Sequence, residues 1–167
     1  YPEIKAPQWH CGEGVDISVL VLELLKRRGY DNRRDSCYLQ CFDVQELRRI
    51  RWELGSNLKL VQLIGEPGDS DERTDHRRLQ TPEGLRETAE YADGIGPSLG
   101  QLYSLADIDG HPVSSGLVSV AHSAGLVVHP YTFRADELPA GFNSFPDLVD
   151  WFVCTLGVDG LFTDFPD

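Results

Sequence analysis

The chain has 167 residues, 41% of them hydrophobic and 25% charged, a composition that supports one sizeable core in an ordinary soluble globular domain. Acidic residues outnumber basic ones 27 to 15, and the formal charge of −12 excludes the broad positive field that nucleic acid or an anionic membrane surface would need. No apolar run approaches the ~18 residues of a membrane span, and no basic stretch followed by an apolar core marks a signal peptide. The chain neither begins with Met nor contains one, so it reads as a segment whose front end is missing.

Short apolar runs alternate with amphipathic stretches throughout, the pattern of a parallel sheet linked by helices. The first run, Tyr1 to Lys5, is a strand candidate that ends at Ala6-Pro7. Residues two apart share a face of a strand, so Glu3 and Lys5 point together and Ile4 points away. An acid and a base thus meet at a strand end, as a strand-end ion pair or as part of a site.

A helix is predicted from Asp16 to Arg28, with Ile17, Leu20, Leu24 and Leu25 on one face and Gly29 as its C-terminal cap. Cys37 to Phe42 follows as a strand. Cys37 and Cys41 would lie about 13 Å apart along it, beyond disulfide reach, and with no close Cys pair a structural zinc is not expected. Cys11, Cys37, Cys41 and Cys154 are therefore read as free thiols.

Asp43 can cap a second helix in a capping box with Glu46, turning Val44, Leu47 and Ile50 inward. Leu58 to Ile64 is a strand, and the charge-crowded stretch from Glu66 to Gln80, with Pro67 and Gly68, reads as a long solvated loop. Thr81-Pro82 opens a shorter helix to about Tyr91, ahead of a strand at Gly94 to Gly96. Ser114 or Ser115 starts a helix that ends at Gly125, and Leu126 to Phe133 is a strand. Ser144 precedes a helix from Phe145 to Thr155, and Gly160 to Phe165 is the last strand. Roughly six strands result, with no internal repeat and no linker.

Six motifs lie on those strands in order: Tyr-Pro-Glu-Ile-Lys at 1 to 5, Leu-Gln-Cys-Phe-Asp at 39 to 43, Val-Gln-Leu-Ile at 61 to 64, Ala-Asp-Gly-Ile-Gly-Pro at 92 to 97, Val-His-Pro-Tyr-Thr-Phe-Arg at 128 to 134 and Gly-Leu-Phe-Thr-Asp-Phe-Pro at 160 to 166. Each is weak alone; as an ordered set, over essentially the whole chain, they resemble the glycerophosphodiester phosphodiesterase family, especially its bacterial periplasmic branch. The resemblance implies a (β/α)₈ TIM barrel entered partway, with residues 1–167 as a partial domain holding about strands three to eight. In that family the first strand carries a His-Arg-Gly motif, the second a Glu-x-Asp pair, and a later His completes the acid and base machinery. This chain has none of these motifs, so the resemblance implies no catalytic histidine here.

What the resemblance carries over is residue by residue. Glu3 matches a metal-ligand carboxylate that joins the Glu-x-Asp pair around Ca²⁺ or Mg²⁺, both of which prefer oxygen ligands. Lys5 matches a lysine at the substrate phosphate, where it offsets negative charge in the transition state. Tyr131 falls where many members place a Trp beside glycerol, and an aromatic can cover the apolar edge of that moiety; barrel packing is an equal reading, more so for Phe133. His129, Tyr131 and Phe133 alternate on one strand, but His129 precedes Pro130 and is not taken as a base. Gln40 and Phe42 share a face and line the pocket or simply pack. Arg134 reaches an anionic group or stays solvated, and Asp164 is read as capping a loop through backbone N–H groups. His10, His76, His111 and His122 show no metal spacing and are read as surface residues.

The resemblance implies metal-dependent hydrolysis of a small-molecule glycerophosphodiester to sn-glycerol 3-phosphate and an alcohol, in the periplasm or a secreted protein. The alternative is a non-catalytic surface or ligand-binding protein on the same barrel, since a fold does not fix a function. Oligomeric state is not legible. About six of eight strands cannot close a barrel, so these residues alone are expected to be inactive and to associate.

Overall fold

The computed structural model describes residues 1–66, 73–106 and 110–166. In chain order its elements are α1 (Pro7–Gly12), α2 (Ile17–Arg27), β1 (Tyr38–Cys41), α3 (Val44–Trp52), β2 (Lys59–Ile64), α4 (Pro82–Thr88), β3 (Gly94–Pro97), β4 (Tyr103–Leu105), β5 (Pro112–Ser114), α5 (Leu117–Ser123), β6 (Val127–Val128) and α6 (Phe145–Asp150), which runs on as a π-helical turn, Trp151–Leu156. Strands β1, β2, β3 and β6 form one parallel sheet in that order. Single parallel bridges extend it on both sides, Glu3 to Gln40 at one edge and Phe133 to Thr163 at the other. The first and last predicted strands are thus present as one-residue bridges. Among the described residues no backbone hydrogen bond joins these two outer segments.

Alternation along the strands sorts the residues onto two faces. Ile4, Leu39, Cys41 and Leu60 lie in one buried cluster with Leu47 and Ile50 of α3. Ile64, Ile95 and Val128 lie in a second with Leu85, Val118, Leu148 and Phe152 from α4, α5, α6 and the π-helical turn. The opposite, inner face carries Val61 and Leu63, whose side chains occupy space left by the glycines of β3. A Cβ on Gly96 would stand 2.6 Å from the Leu63 side chain, and one on Gly94 would stand 2.5 Å from that of Val127. Two side chains on β3 are absent so that its neighbours can fill the interior.

Local capping follows the sequence closely. Asp16, Asp43, Thr81 and Ser144 each accept a hydrogen bond from a first-turn N–H, at 3.1, 3.1, 3.0 and 3.2 Å. The box at Asp43 is half formed, because the Glu46 carboxylate turns to Arg49 instead of returning to the cap. Helix α5 starts one residue beyond the predicted serines, on Gly116, while Ser115 donates to the Gln101 carbonyl at 2.9 Å.

Two expectations are corrected here. In α2 the stripe packed on the core is Ile17, Val21 and Leu25, at i, i+4 and i+8, and Leu20 and Leu24 face solvent at 51% and 48% exposure. The stretch from Glu66 to Gln80 is no uniform solvated loop: residues 67–72, with Pro67 and Gly68, lie outside the described residues, but Thr74, His76 and Leu79 are buried and a 3₁₀ turn spans Arg78–Gln80. Helix α1 and the antiparallel β4–β5 pair were not anticipated. All four cysteines are free, as expected.

Candidate active site

The Glu3 to Gln40 bridge sets the register of the first segment against β1. Two residues earlier, Tyr1 stacks on Tyr38 with ring centroids 5.1 Å apart and planes 14° from parallel, so both residues of that rung share the inner face. By alternation the next rung is Glu3 beside Gln40, and the one above it is Lys5 beside Phe42. Lys5 Nζ stands 3.6 Å from Glu3 Oε2; the lysine is 78% exposed and the carboxylate 22%. Such an exposed pair contributes little to stability, which leaves the ammonium group able to turn toward another anion.

Immediately after Lys5 the backbone enters the left-handed region at Ala6, φ 44°, costing roughly 1–2 kcal/mol for a residue with a Cβ. That turn drops the chain into α1, whose Gln8 and Trp9 join Glu3, Lys5, Phe42 and Asp43 around a cleft of 460 Å³. Trp9 is 63% exposed there. A larger hollow of 640 Å³ lies between α5 and the π-helical turn, lined by Val118, His122, Trp151 and Thr155, and contains none of these strand-end groups.

Phe42 connects the cleft to the ends of the later strands. Its ring meets Tyr131 edge-on at 6.0 Å and His76 at 6.2 Å. The Tyr131 hydroxyl donates to the Ile64 carbonyl at 2.8 Å, fixing the ring. Ser98, bridged to Tyr131, donates its hydroxyl to the Glu66 carboxylate, and Gln101 donates to the Gly65 carbonyl at 2.7 Å. Glu66, Ser98 and His76 were not singled out from the sequence as site residues. Ser98 could have been found by extending the alternation Gly94, Gly96, Ser98 along β3.

Not every predicted residue joins the cleft. Phe133 is fully buried and packs edge-on to Phe152 at 5.1 Å in the helix-facing core. Regular pairing in β6 ends at Val128, so the alternation that put Phe133 beside Tyr131 does not extend that far. His76 is corrected from surface to buried, and its Nδ1 accepts from the Gly65 N–H at 3.2 Å. The loop role given to Asp164 belongs to Thr163, whose hydroxyl accepts from Phe165 N–H and donates to the Phe133 carbonyl, both at 2.9 Å. Asp164 instead receives Arg134, which also pairs with Asp136 at 2.7 Å.

His129 sits low in the interior, its Nδ1 2.8 Å from the Tyr1 hydroxyl and its ring edge-on to Tyr38. Burial depresses its basicity, opposed in part by the charge of Asp159, and holds it neutral. Burial, reinforced by Tyr38, likewise raises the Tyr1 phenol. Burial pushes the Cys41 thiol up to about 12, which leaves it a core thiol without nucleophilic character.

For a hard cation the donor set is partial. Glu3 offers a carboxylate at the cleft, and Gln40, 7% exposed on the same rung, holds an amide oxygen with no hydrogen-bond partner. Among the described residues no group of three or more His, Cys, Asp or Glu side chains could hold a metal ion. The residues fit one side of an oxygen-rich coordination sphere of the Ca²⁺ or Mg²⁺ type.

The model of the glycerophosphoryl diester phosphodiesterase family matches residues 1–167. The chain is 38% identical to a glycerophosphodiester phosphodiesterase of Haemophilus influenzae, with 100% of this chain and 50% of the relative aligned. It is 34% identical to one of Treponema pallidum, with 100% and 51% aligned. It therefore spans about half the length of the curated relatives it matches. The crystal structure of a glycerophosphoryl diester phosphodiesterase candidate from Silicibacter pomeroyi DSS-3 superposes with a TM-score of 0.62 at 21% identity, covering 98% of this chain and 46% of that one, a likeness of fold. Parallel strands alternating with helices, a cleft at their C-terminal ends and a family match over every residue lead to one conclusion: the chain is part of a (β/α)₈ barrel and belongs to the glycerophosphoryl diester phosphodiesterase family.

Proposed function

We propose that a full-length protein containing this chain hydrolyses glycerophosphodiesters to sn-glycerol 3-phosphate and an alcohol with the help of a divalent cation, Ca²⁺ or Mg²⁺. The observation that carries the reading is the Glu3 and Lys5 pair, side by side at a strand end and open to the cleft. Relatives that share the whole chain are named for this activity. The activity also suits a site where chemistry sits at the C-terminal ends of barrel strands.

Glu3 would be one ligand of the cation, which when bound would draw negative charge from the phosphoryl oxygens. Lys5 would turn from Glu3 to a non-bridging phosphoryl oxygen and neutralise the charge that builds there as water attacks phosphorus and the alcohol leaves. Phe42 and the fixed ring of Tyr131 would present apolar surface to the glycerol carbons. The proton taken from water and the proton given to the departing alcohol would pass through groups outside these residues, in keeping with the neutral, interior position of His129. Periplasmic or secreted location and a place in glycerophospholipid breakdown complete the proposal.

Release of glycerol 3-phosphate from glycerophosphocholine tests it. The full-length protein is expected to turn over, to stop when a chelator is added and to recover with Ca²⁺ or Mg²⁺, while the 167-residue chain alone gives no product. Chelator-resistant turnover, or none by the full-length protein, would sink the reading.

A further inference from the structure

We infer that Gln40 supplies, through its amide oxygen, a second oxygen donor from this chain to the divalent cation for which Glu3 is the carboxylate ligand. The inference rests on the reading of Glu3 given above and extends it to a neutral side chain.

Gln40 is held on both sides of its backbone by the first segment, with Ile4 N–H donating to its carbonyl at 2.9 Å and its own N–H donating to the Pro2 carbonyl at 3.0 Å. Its position beside Glu3 is therefore fixed by main-chain pairing rather than by side-chain contact. Strands that pair in this way lie about 4.8 Å apart, close enough for oxygens on adjacent side chains to reach one ion at about 2.0–2.6 Å. The side chain is more than nine-tenths buried, yet its Oε1 has no hydrogen-bond partner. Buried acceptors are almost always satisfied, so an orphan one points to a missing electropositive partner.

The sign of that partner discriminates between ligands. A phosphate oxygen is itself an acceptor and cannot satisfy Oε1, whereas a cation can. Lys5, one rung along the strand, is 78% exposed and directs its ammonium group to Glu3 at 3.6 Å, and Oε1 has no hydrogen-bond partner. An amide oxygen also adds a donor without adding negative charge, which matters where an anionic diester must approach.

Calcium titration calorimetry on the full-length protein, paired with thermal unfolding with and without Ca²⁺, tests the assignment in Gln40→Leu, Gln40→Glu and Glu3→Gln. Gln40→Leu is expected to weaken Ca²⁺ binding about tenfold and to leave the metal-free unfolding temperature equal or higher, because leucine replaces an unsatisfied buried oxygen. Gln40→Glu is expected to tighten binding. Unchanged Ca²⁺ affinity in Gln40→Leu alongside weakened binding in Glu3→Gln would overturn the role of Gln40 alone. Unchanged affinity in Glu3→Gln would overturn the reading of Glu3 and this inference with it. A drop in metal-free unfolding temperature in Gln40→Leu would assign Gln40 a packing role instead.

Discussion

That Glu3 and Lys5 share a face was legible from spacing alone, because the two-residue period of a strand places them together whatever surrounds them, whereas a role for them came only with the family resemblance. Gln40 and Phe42 follow by the same rule, since their strand is regular from Tyr38 to Cys41. Phe133 did not follow, because the period fails where β6 gives way to isolated bridges, and sequence carries no mark of that point. His129 gives a residue-scale prediction. Its folded-state pKa lies below the ordinary 6.5, so below that pH the unfolded chain takes up the proton more readily than the folded one. The stability that neutral His129 contributes is complete above 6.5 and is lost as pH falls from there toward its folded value. Urea midpoints at pH 7 and pH 5 should therefore drop further in the parent sequence than in His129→Gln. Equal drops would show that His129 titrates alike in both states.

At the scale of elements, helices were the clearest feature of the sequence because their caps are local: Asp16, Asp43, Thr81 and Ser144 each act on an N–H within three residues. Helix α1 was missed since it is six residues long and contains no buried residue, giving periodicity nothing to register. The β4–β5 pair escaped for the same reason, with three-residue strands that are mostly exposed. The glycines of β3 act through their neighbours and yield an element-scale prediction. A Cβ on Gly94 would meet Val127 at 2.5 Å to its side chain and 2.8 Å to its carbonyl oxygen, and the backbone atom cannot swing aside. Gly94→Ala should lower stability by about 1–3 kcal/mol in urea unfolding. Gly12→Ala, at the end of α1 with nothing within 4 Å of the new Cβ, should be neutral or stabilise by up to about 1 kcal/mol. A loss at Gly12 equal to that at Gly94 would contradict the packing described for β3.

For the whole molecule, the order of motifs along the chain carried more than any one of them, because a barrel deploys its chemistry at one end of successive parallel strands. The same topology would leave the proposed cation site only partly built by this chain. Glu3 and Lys5 lie on the outermost segment of the sheet, and the described residues bring no second carboxylate to Glu3 as a metal cluster. On the proposed reading the site would be divided, with one carboxylate, one amide oxygen and one ammonium group coming from this chain. Glu3 as the carboxylate ligand is the point on which the proposed chemistry turns. Its most direct measurement is the turnover of glycerophosphocholine by the full-length protein and its Glu3→Gln variant across a Ca²⁺ titration. Glu3→Gln is expected to lose at least about 100-fold in kcat/KM at limiting Ca²⁺, a transition-state cost of ~2.7 kcal/mol, with partial recovery as Ca²⁺ is raised. Parent-like turnover by Glu3→Gln at every Ca²⁺ concentration would contradict it.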